Sequence, residues 1–364
     1  NSIYNDLSSL LDDSNVSLLP ETVSDGQDLS VIVAMSTTDL VSAYEASGSD
    51  LSVSDYIKSG SANSYLAAAD RERTSLYRVL DASGIKYTLG DTYDNVLSGF
   101  EITVKASDFY KVEKVLSERK AKVIVGDVYE KLETKPVIND AVNADSIDEE
   151  TGIFKNTIKD AIQGMTIDGS GVVVAVLDTG LDYTHSAFDA SRFGSTNLVL
   201  DRNTVSAKIR SGKLNAAETT KNLSVADVYL SNKVPYAYDY ADKDPDVLPI
   251  NSEHGTHVAG IIAGQDDVIT GVAPNAQLAI MKVFSDETDG AKTSWLLAAL
   301  EDCVTLGVDV INMSLGTSCG FSRQDDKENV ATIYENVKKA GISLIAAGSN
   351  SYNATMGSDK NGNN

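Results

Sequence analysis

Two of the chain's three histidines lie close together, in the stretch NSEHGTHVAG at residues 251–260. His254 stands where a helix is predicted to begin, and the positive end of a helix disfavours an imidazolium. A neutral imidazole there can act as a general base. Asp178 directly follows the apolar run VVVAVL at residues 172–177. A carboxylate in that place can orient an imidazole and stabilise its charged form, so the two residues predict proton-transfer chemistry.

Both residues also have simpler readings. Asp178 could be a turn or helix-capping aspartate. His254 and His257 could be metal ligands, which gives a metal hydrolase as one hypothesis. The zinc-protease helix has the pattern H-E-x-x-H, whereas this chain has H-G-T-H and no evident third ligand. We therefore predict no metal site, and interpret His257 as a hydrogen-bonded core residue on a helix that Val258, Ile261 and Ile262 bury.

Apolar strands alternating with amphipathic helices must position these residues. Strands are predicted at 171–177, 277–284, 308–315 and 342–348, and helices at 254–264, 294–307 and 324–341. This order predicts an α/β fold with a doubly wound parallel sheet, which binds ligands at the carboxyl ends of its strands. The sequences DTG, SLG and GSN, together with the helix start at His254, would then share one edge of the sheet.

The first third of the chain has a different organisation. Strands are predicted at 29–36, 86–90, 95–104 and 121–129, with helices at 63–82 and 107–118. This is the β-α-β-β-α-β order of a ferredoxin-like α+β domain. The segment at 139–150 has five acidic residues and no basic ones, which is typical of a linker.

Composition excludes several classes of protein. The formal net charge of −23 over 364 residues argues against nucleic acid as a partner. No apolar run approaches 18 residues, so we predict no transmembrane segment. The two cysteines are too few for a disulfide framework. The chain begins at Asn1 without a signal peptide, and we expect both of its ends to be cut.

Four motifs in order resemble those of the subtilisin-like serine proteases: VVVAVLDTGLD, HGTHVAG, GVAPNAQL and VINMSLG. The resemblance is greatest to the cell-envelope proteinases of Gram-positive bacteria. It covers about residues 155–364, and the preceding unit resembles the family's inhibitory propeptide. The implied domains are a polar segment at 1–28, a propeptide domain at 29–133, an acidic linker with the processing region at 134–154, and an incomplete catalytic domain at 155–364.

The resemblance also implies roles for individual residues. Asp178 corresponds to the aspartate of the catalytic triad and His254 to its general base. Asn350 corresponds to the asparagine of the oxyanion hole. Ser314, Leu315 and Gly316 correspond to the segment that pairs with the substrate backbone. No cofactor is implied for the chemistry, and the partners implied are protein or peptide substrates and the chain's own propeptide in the active-site cleft.

The chain departs from the family pattern in three places. It reads AAGSN where the family usually reads A-A-G-N. The usual calcium loop is shortened and Ala187 stands at a frequent ligand position, so structural calcium is not assigned to a specific site. The G-T-S-M motif of the nucleophile is absent, so the serine is expected beyond residue 364 and this chain alone is expected to be inactive.

The resulting hypothesis is the precursor of a secreted or cell-envelope-associated serine endopeptidase. The alternative is a relative without the serine that binds or inhibits peptides along residues 314–316. Loss of Asp178 or His254 would favour that alternative, and both residues are present.

Overall fold

The computed structural model describes residues 23–131, 168–288, 290–316 and 324–347. The chain forms two compact units. The first contains residues 1–127, 319–339 and 356–364, and the second contains residues 128–318 and 340–355. Within the described residues, no helix combines the length and the apolar character that crossing a membrane requires.

The first unit contains a four-stranded antiparallel sheet of β1 (Asp28–Ala34), β2 (Tyr87–Tyr93), β3 (Gly99–Lys105) and β4 (Lys122–Val125). The order of the strands across the sheet is β2-β3-β1-β4. Its helices in this part of the chain are α1 (Leu40–Ser47), α2 (Val53–Ile57), α3 (Asn63–Ser83) and α4 (Phe109–Ser117). Alternate strand residues such as Val31 and Phe100 pack against Leu76, Leu80 and Phe109 of the helices. One face of the sheet therefore holds the core.

The prediction of one strand at 121–129 is wrong. Strand β4 ends at Val125, and a separate strand, β5 (Val128–Lys131), follows Gly126 and Asp127. Strand β4 pairs with β1, whereas β5 belongs to a different sheet in the second unit. The two residues between them redirect the chain, which a continuous apolar pattern does not reveal.

The second unit is built on a five-stranded sheet of β6 (Val173–Asp178), β7 (Tyr236–Asp239), β8 (Gln277–Lys282), β10 (Val310–Met313) and β12 (Ser343–Ala346). The strands lie in the order β12-β10-β6-β8-β7, and all their pairings are parallel. This confirms the predicted parallel α/β sheet. All six residues of β6 and of β8 are buried, as expected for central parallel strands.

Helices connect these strands. They are α5 (Arg202–Arg210), α6 (Asn215–Thr219), α7 (Val225–Val228), α8 (His254–Ala263) and α9 (Thr293–Leu306). Helices α5 to α7 and strand β7 lie in a polar stretch for which the sequence predicted no element. A last helix, α10 (Gln324–Lys339), clusters with the first unit, where Asn336 Nδ2 donates to the carbonyl of Val96 at 2.9 Å.

A small three-stranded sheet completes the second unit. It contains β9 (Ala291–Lys292), β11 (Leu315–Gly316) and β5 in the order β11-β5-β9. Strand β5 is the central strand and is antiparallel to both neighbours. The backbone of β5 therefore pairs along both of its edges.

Candidate active site

Asp178 and His254 form a direct hydrogen bond. Asp178 is the last residue of β6 and His254 is the first residue of α8. The distance from Asp178 Oδ1 to His254 Nδ1 is 2.7 Å, and the two residues are 1% and 9% exposed. A carboxylate can only accept, so Nδ1 carries the hydrogen, and in a neutral imidazole Nε2 is then the nitrogen that has the basic lone pair. The pair thus has the geometry of a general base and its orienting group.

The loop after β6 is tied to the start of α8 by further hydrogen bonds. The hydroxyl of Thr179 accepts the N–H of Gly255 at 2.9 Å and donates to the carbonyl of Ser252 at 2.8 Å. The N–H of Thr179 also donates to Asp178 Oδ1 at 2.7 Å. These bonds join the backbone next to Asp178 to the backbone on either side of His254. They therefore hold the carboxylate and the imidazole in one relative position.

Gly255 allows the helix to approach the strand so closely. A Cβ at Gly255 would lie 2.3 Å from the carbonyl oxygen of Gly180 and 3.1 Å from Asp178 Cβ. Gly260, further along the same helix, has only Ile269 Cδ1 within 4 Å, at 3.7 Å. The requirement for glycine is therefore much stronger at Gly255 than at Gly260.

The predicted substrate segment at 314–316 borders a paired strand. Leu315 lies opposite Lys131 and Gly316 lies opposite Glu130, while Ser314 lies between β10 and β11. On the other edge of β5, Val128 and Tyr129 lie opposite Lys292 and Ala291. Sequence reasoning missed both β9 and the central position of β5, and the break at Gly126–Asp127 was the signal that could have indicated a separate strand.

A cavity of about 430 Å³ lies beside the Asp178–His254 pair. Thr179 and Ser252, which are sequence neighbours of the two residues, form part of its wall, as do Glu130 and Lys131 of β5. The remaining lining residues are Asn251, Phe284, Ser285, Asp286, Thr288 and Gly290.

A buried ion cluster adjoins this cavity. Lys282 Nζ lies 2.8 Å from Asp239 Oδ2 and 2.6 Å from Asp286 Oδ2, and Asp242 is close to both carboxylates. Burial raises the pKa of Asp239 to about 6, although the hydrogen bond from Lys282 opposes this. These three aspartates are the one group of metal-ligating residues found among the described parts of the chain, and the ammonium of Lys282 contacts two of them.

The interpretation of His257 as a core residue is wrong. His257 is exposed, and Ile261, one turn later on the same face of α8, is 53% exposed. Helix α8 packs in the core through Val258, Ala259 and Ala263, and Ile262 is partly buried against the same cluster. The predictions for Val258 and Ile262 are therefore confirmed, and the prediction for Ile261 is wrong. Neither His254 nor His257 belongs to the group of metal-ligating side chains found within the described residues.

Two other predicted features, Asn350 and the linker at 134–154, lie outside the described residues. The short loop after α8 is held by Asp266, which accepts from Ser186 Oγ at 2.7 Å, and by Arg192, whose Nη1 lies 2.8 Å from Asp267 Oδ1. Ala187 is buried and its carbonyl accepts the N–H of Gln265 at 2.8 Å.

A buried aspartate–histidine pair at the carboxyl edge of a parallel sheet, next to strands that pair with an extended chain, is typical of serine proteases. The family model described as the subtilase family matches residues 169–364, and the chain belongs to that family.

Individual relatives agree with this assignment. The chain is 30% identical over 285 residues to a PI-type proteinase of Lactococcus lactis subsp. cremoris, which covers 76% of the chain and 13% of that protein. It is 31% identical over 286 residues to a PII-type proteinase of Lacticaseibacillus paracasei, with 75% and 13% covered. The chain thus spans about an eighth of the length of these curated relatives. Among solved structures, fervidolysin from Fervidobacterium pennivorans aligns with a TM-score of 0.49 and 15% identity over 93% of this chain and 42% of that one.

Proposed function

We propose that this chain is the propeptide and the first part of the catalytic domain of a serine endopeptidase precursor. The observation that carries the proposal is the 2.7 Å bond between Asp178 and His254, placed beside the paired segment Leu315–Gly316. We also propose that the protein is secreted or attached to the cell envelope. The resemblance to cell-envelope proteinases and the strongly acidic composition support this location.

The proposed mechanism uses a serine located C-terminal to Asn364. Nε2 of His254 takes the proton of the serine hydroxyl as its oxygen attacks the substrate carbonyl, and Asp178 stabilises the imidazolium that results. The side-chain amide of Asn350 donates to the oxyanion, an interaction worth about 2.7–4 kcal/mol at such sites. His254 then returns the proton to the leaving amine, and water hydrolyses the acyl-enzyme.

The proposed substrate is an extended peptide that adds a strand between β9 and β11. Backbone pairing of this kind gives affinity without demanding a particular sequence, and side-chain pockets add selectivity. Strand β5 supports this proposal because it lies between the same two edges. The propeptide would block the cleft in this way until it is cleaved.

A second candidate is a peptide-binding relative without the serine. The full pairing of β5 along both edges favours it, since such pairing requires no nucleophile. A binding assay with the isolated chain and extended peptides tests it, and absence of binding would exclude this alternative. The buried Asp178–His254 pair, which binding alone does not need, makes the protease the better-supported function.

The experiment uses the protein expressed from its complete reading frame. His254→Ala should abolish both self-processing and labelling by a fluorophosphonate, because no other group takes the proton of the serine. His185→Ala is the matched control, since His185 is exposed and contacts the N–H of Ala187 rather than Asp178. Labelling that survives in His254→Ala would refute the assignment of the base.

A further inference from the structure

The side chains of strand β5 alternate between two environments. Val128 is 55% exposed and Glu130 is also exposed, whereas Tyr129 is 8% exposed and Lys131 is partly buried. Successive side chains of a strand point to opposite faces. Tyr129 and Lys131 therefore share the inward face, and a peptide bound in the same register presents every second side chain to the protein.

Lys131 is at the end of β5 that leads toward the Asp178–His254 pair, as the strand pairings show. It lies opposite Leu315, and the chain leads back from Leu315 through Ser314 to Met313. Met313 is paired with Leu177, the residue before Asp178. Lys131 also lines the cavity together with Thr179 and Ser252. Glu130 lines the cavity as well but belongs to the exposed face of β5, so Lys131 is the inward-facing residue of the strand that borders it.

That wall is negatively charged. Apart from the two residues of β5, Asp286 is the one ionisable residue among the described residues that line the cavity. Its side chain is 25% exposed, while its partner Lys282 is 1% exposed. One ammonium faces three carboxylates in the adjoining cluster of Asp239, Asp242 and Asp286, so negative charge is in excess. Phe284, which also lines the cavity, offers an apolar surface for the methylene stem of a long side chain.

We propose that this cavity is a substrate subsite that selects a basic side chain, lysine or arginine, at the position occupied by Lys131, and that Asp286 is the residue that determines this preference. The inference rests on the proposed protease function. Charge-assisted hydrogen bonds contribute more than neutral ones, so a basic residue should be favoured over an uncharged one of similar length by about tenfold in kcat/KM.

The test uses the full-length protease and quenched fluorescent peptides with the sequence of residues 128–133, VYEKLE. Peptides with Lys, Arg, Gln or Glu at the fourth position are compared, and mass spectrometry verifies that each is cut at the same bond. The expected order of kcat/KM is Lys and Arg above Gln, and Gln above Glu. Increasing salt should reduce the differences, because the cavity is open to solvent.

The variant Asp286→Asn should lower the Lys-to-Gln ratio of kcat/KM toward one. Asp267→Asn is the control, since it removes the same charge from a side chain that is 85% exposed and outside the cavity, and should leave the ratio unchanged. The ratio does not depend on the amount of active enzyme. If Asp286→Asn does not fold, the Lys-to-Glu comparison in the unaltered enzyme decides the question.

Equal cleavage of the Lys, Gln and Glu peptides, or a ratio that Asp286→Asn leaves intact, would overturn the subsite proposal. Either result is distinguishable from failure of the proposed function. If the protein were not a serine protease, none of the four peptides would be cleaved and no serine would be labelled by a fluorophosphonate.

Discussion

At the scale of single residues, the contact between Asp178 and His254 depends on the absence of a side chain at position 255. The amide of Gly255 is bound by Thr179, and its Cα lies against the backbone of Gly180. The proposed proton-transfer pair is thus positioned by a residue that would take no part in the chemistry.

Gly255→Ala should therefore separate the imidazole from the carboxylate. The added methyl group would overlap the carbonyl of Gly180, and overpacking of this kind costs about 1–3 kcal/mol. A displacement of about 1 Å at a catalytic group can lower kcat about a hundredfold. Thermal unfolding and peptide hydrolysis by the full-length protein measure the two effects.

Gly260→Ala is the control for this prediction. Gly260 lies in the same helix, where the added methyl group would make only an ordinary contact with Ile269 of the following loop. Alanine favours helix by about 0.5–1 kcal/mol over glycine. Equal losses of activity in the two variants would show that the close approach at Gly255 is not what positions His254.

At the scale of elements, a buried carboxylate on helix α9 contributes to the joint between this helix and the region of helices α5 to α7. Asp302 accepts hydrogen bonds from the N–H groups of Asn215 and Ala216 at 2.6 and 3.1 Å, and from the hydroxyl of Tyr240 at 2.7 Å. Burial raises the pKa of Asp302 to about 7, and these hydrogen bonds only partly oppose the rise.

The raised pKa of Asp302 predicts a pH-dependent stability. The folded protein retains the proton in the range from the ordinary value of 3.8 up to about 7, whereas the unfolded chain releases it. The contribution of Asp302 to the free energy of unfolding is therefore full below about pH 4 and is lost as the pH rises through 7. Asp302→Asn should reduce the fall in Tm between pH 5 and pH 8.

The control for this change is Asp50→Asn, at an exposed position of the first unit. It removes one carboxylate and should leave the pH dependence of Tm as it is in the unaltered protein. An unchanged pH dependence in Asp302→Asn would mean that this carboxyl group does not titrate in that range.

Sequence reasoning predicted the strands of the parallel sheet better than it predicted the pairing of short strands such as β5. The apolar runs that became β6 and β8 are buried on both faces, so hydrophobicity alone identified them. Strand β5 has a mixed pattern, and its place between β9 and β11 depends on residues more than 150 positions away. The exposure of His257 could not be predicted either, because the glycines and alanines of α8 give no clear apolar face.

At the scale of the whole molecule, several apolar side chains of the second unit are exposed within the described residues. Ile261 on α8 and Ile345 on β12 are 53% and 55% exposed, and Ile250 is 71% exposed. In the proposed protease, chain segments C-terminal to residue 364 would cover part of such a surface.

A polypeptide limited to residues 1–364 should therefore be poorly soluble or molten. Exposed apolar surface of this kind promotes association, and incomplete packing weakens cooperativity. Calorimetry and dye binding of the isolated chain are the measurements. A sharp cooperative unfolding transition of a monomer would contradict this expectation.

The central claim is that Asp178 and His254 activate a serine that lies beyond Asn364. The most direct test is to label the full-length protein with a fluorophosphonate and to identify the modified residue by mass spectrometry. The account predicts a single labelled serine C-terminal to residue 364, in a G-T-S-M-like motif, and no label in His254→Ala. A label on Ser314 or another residue of this chain, or no label on the intact protein, would contradict it.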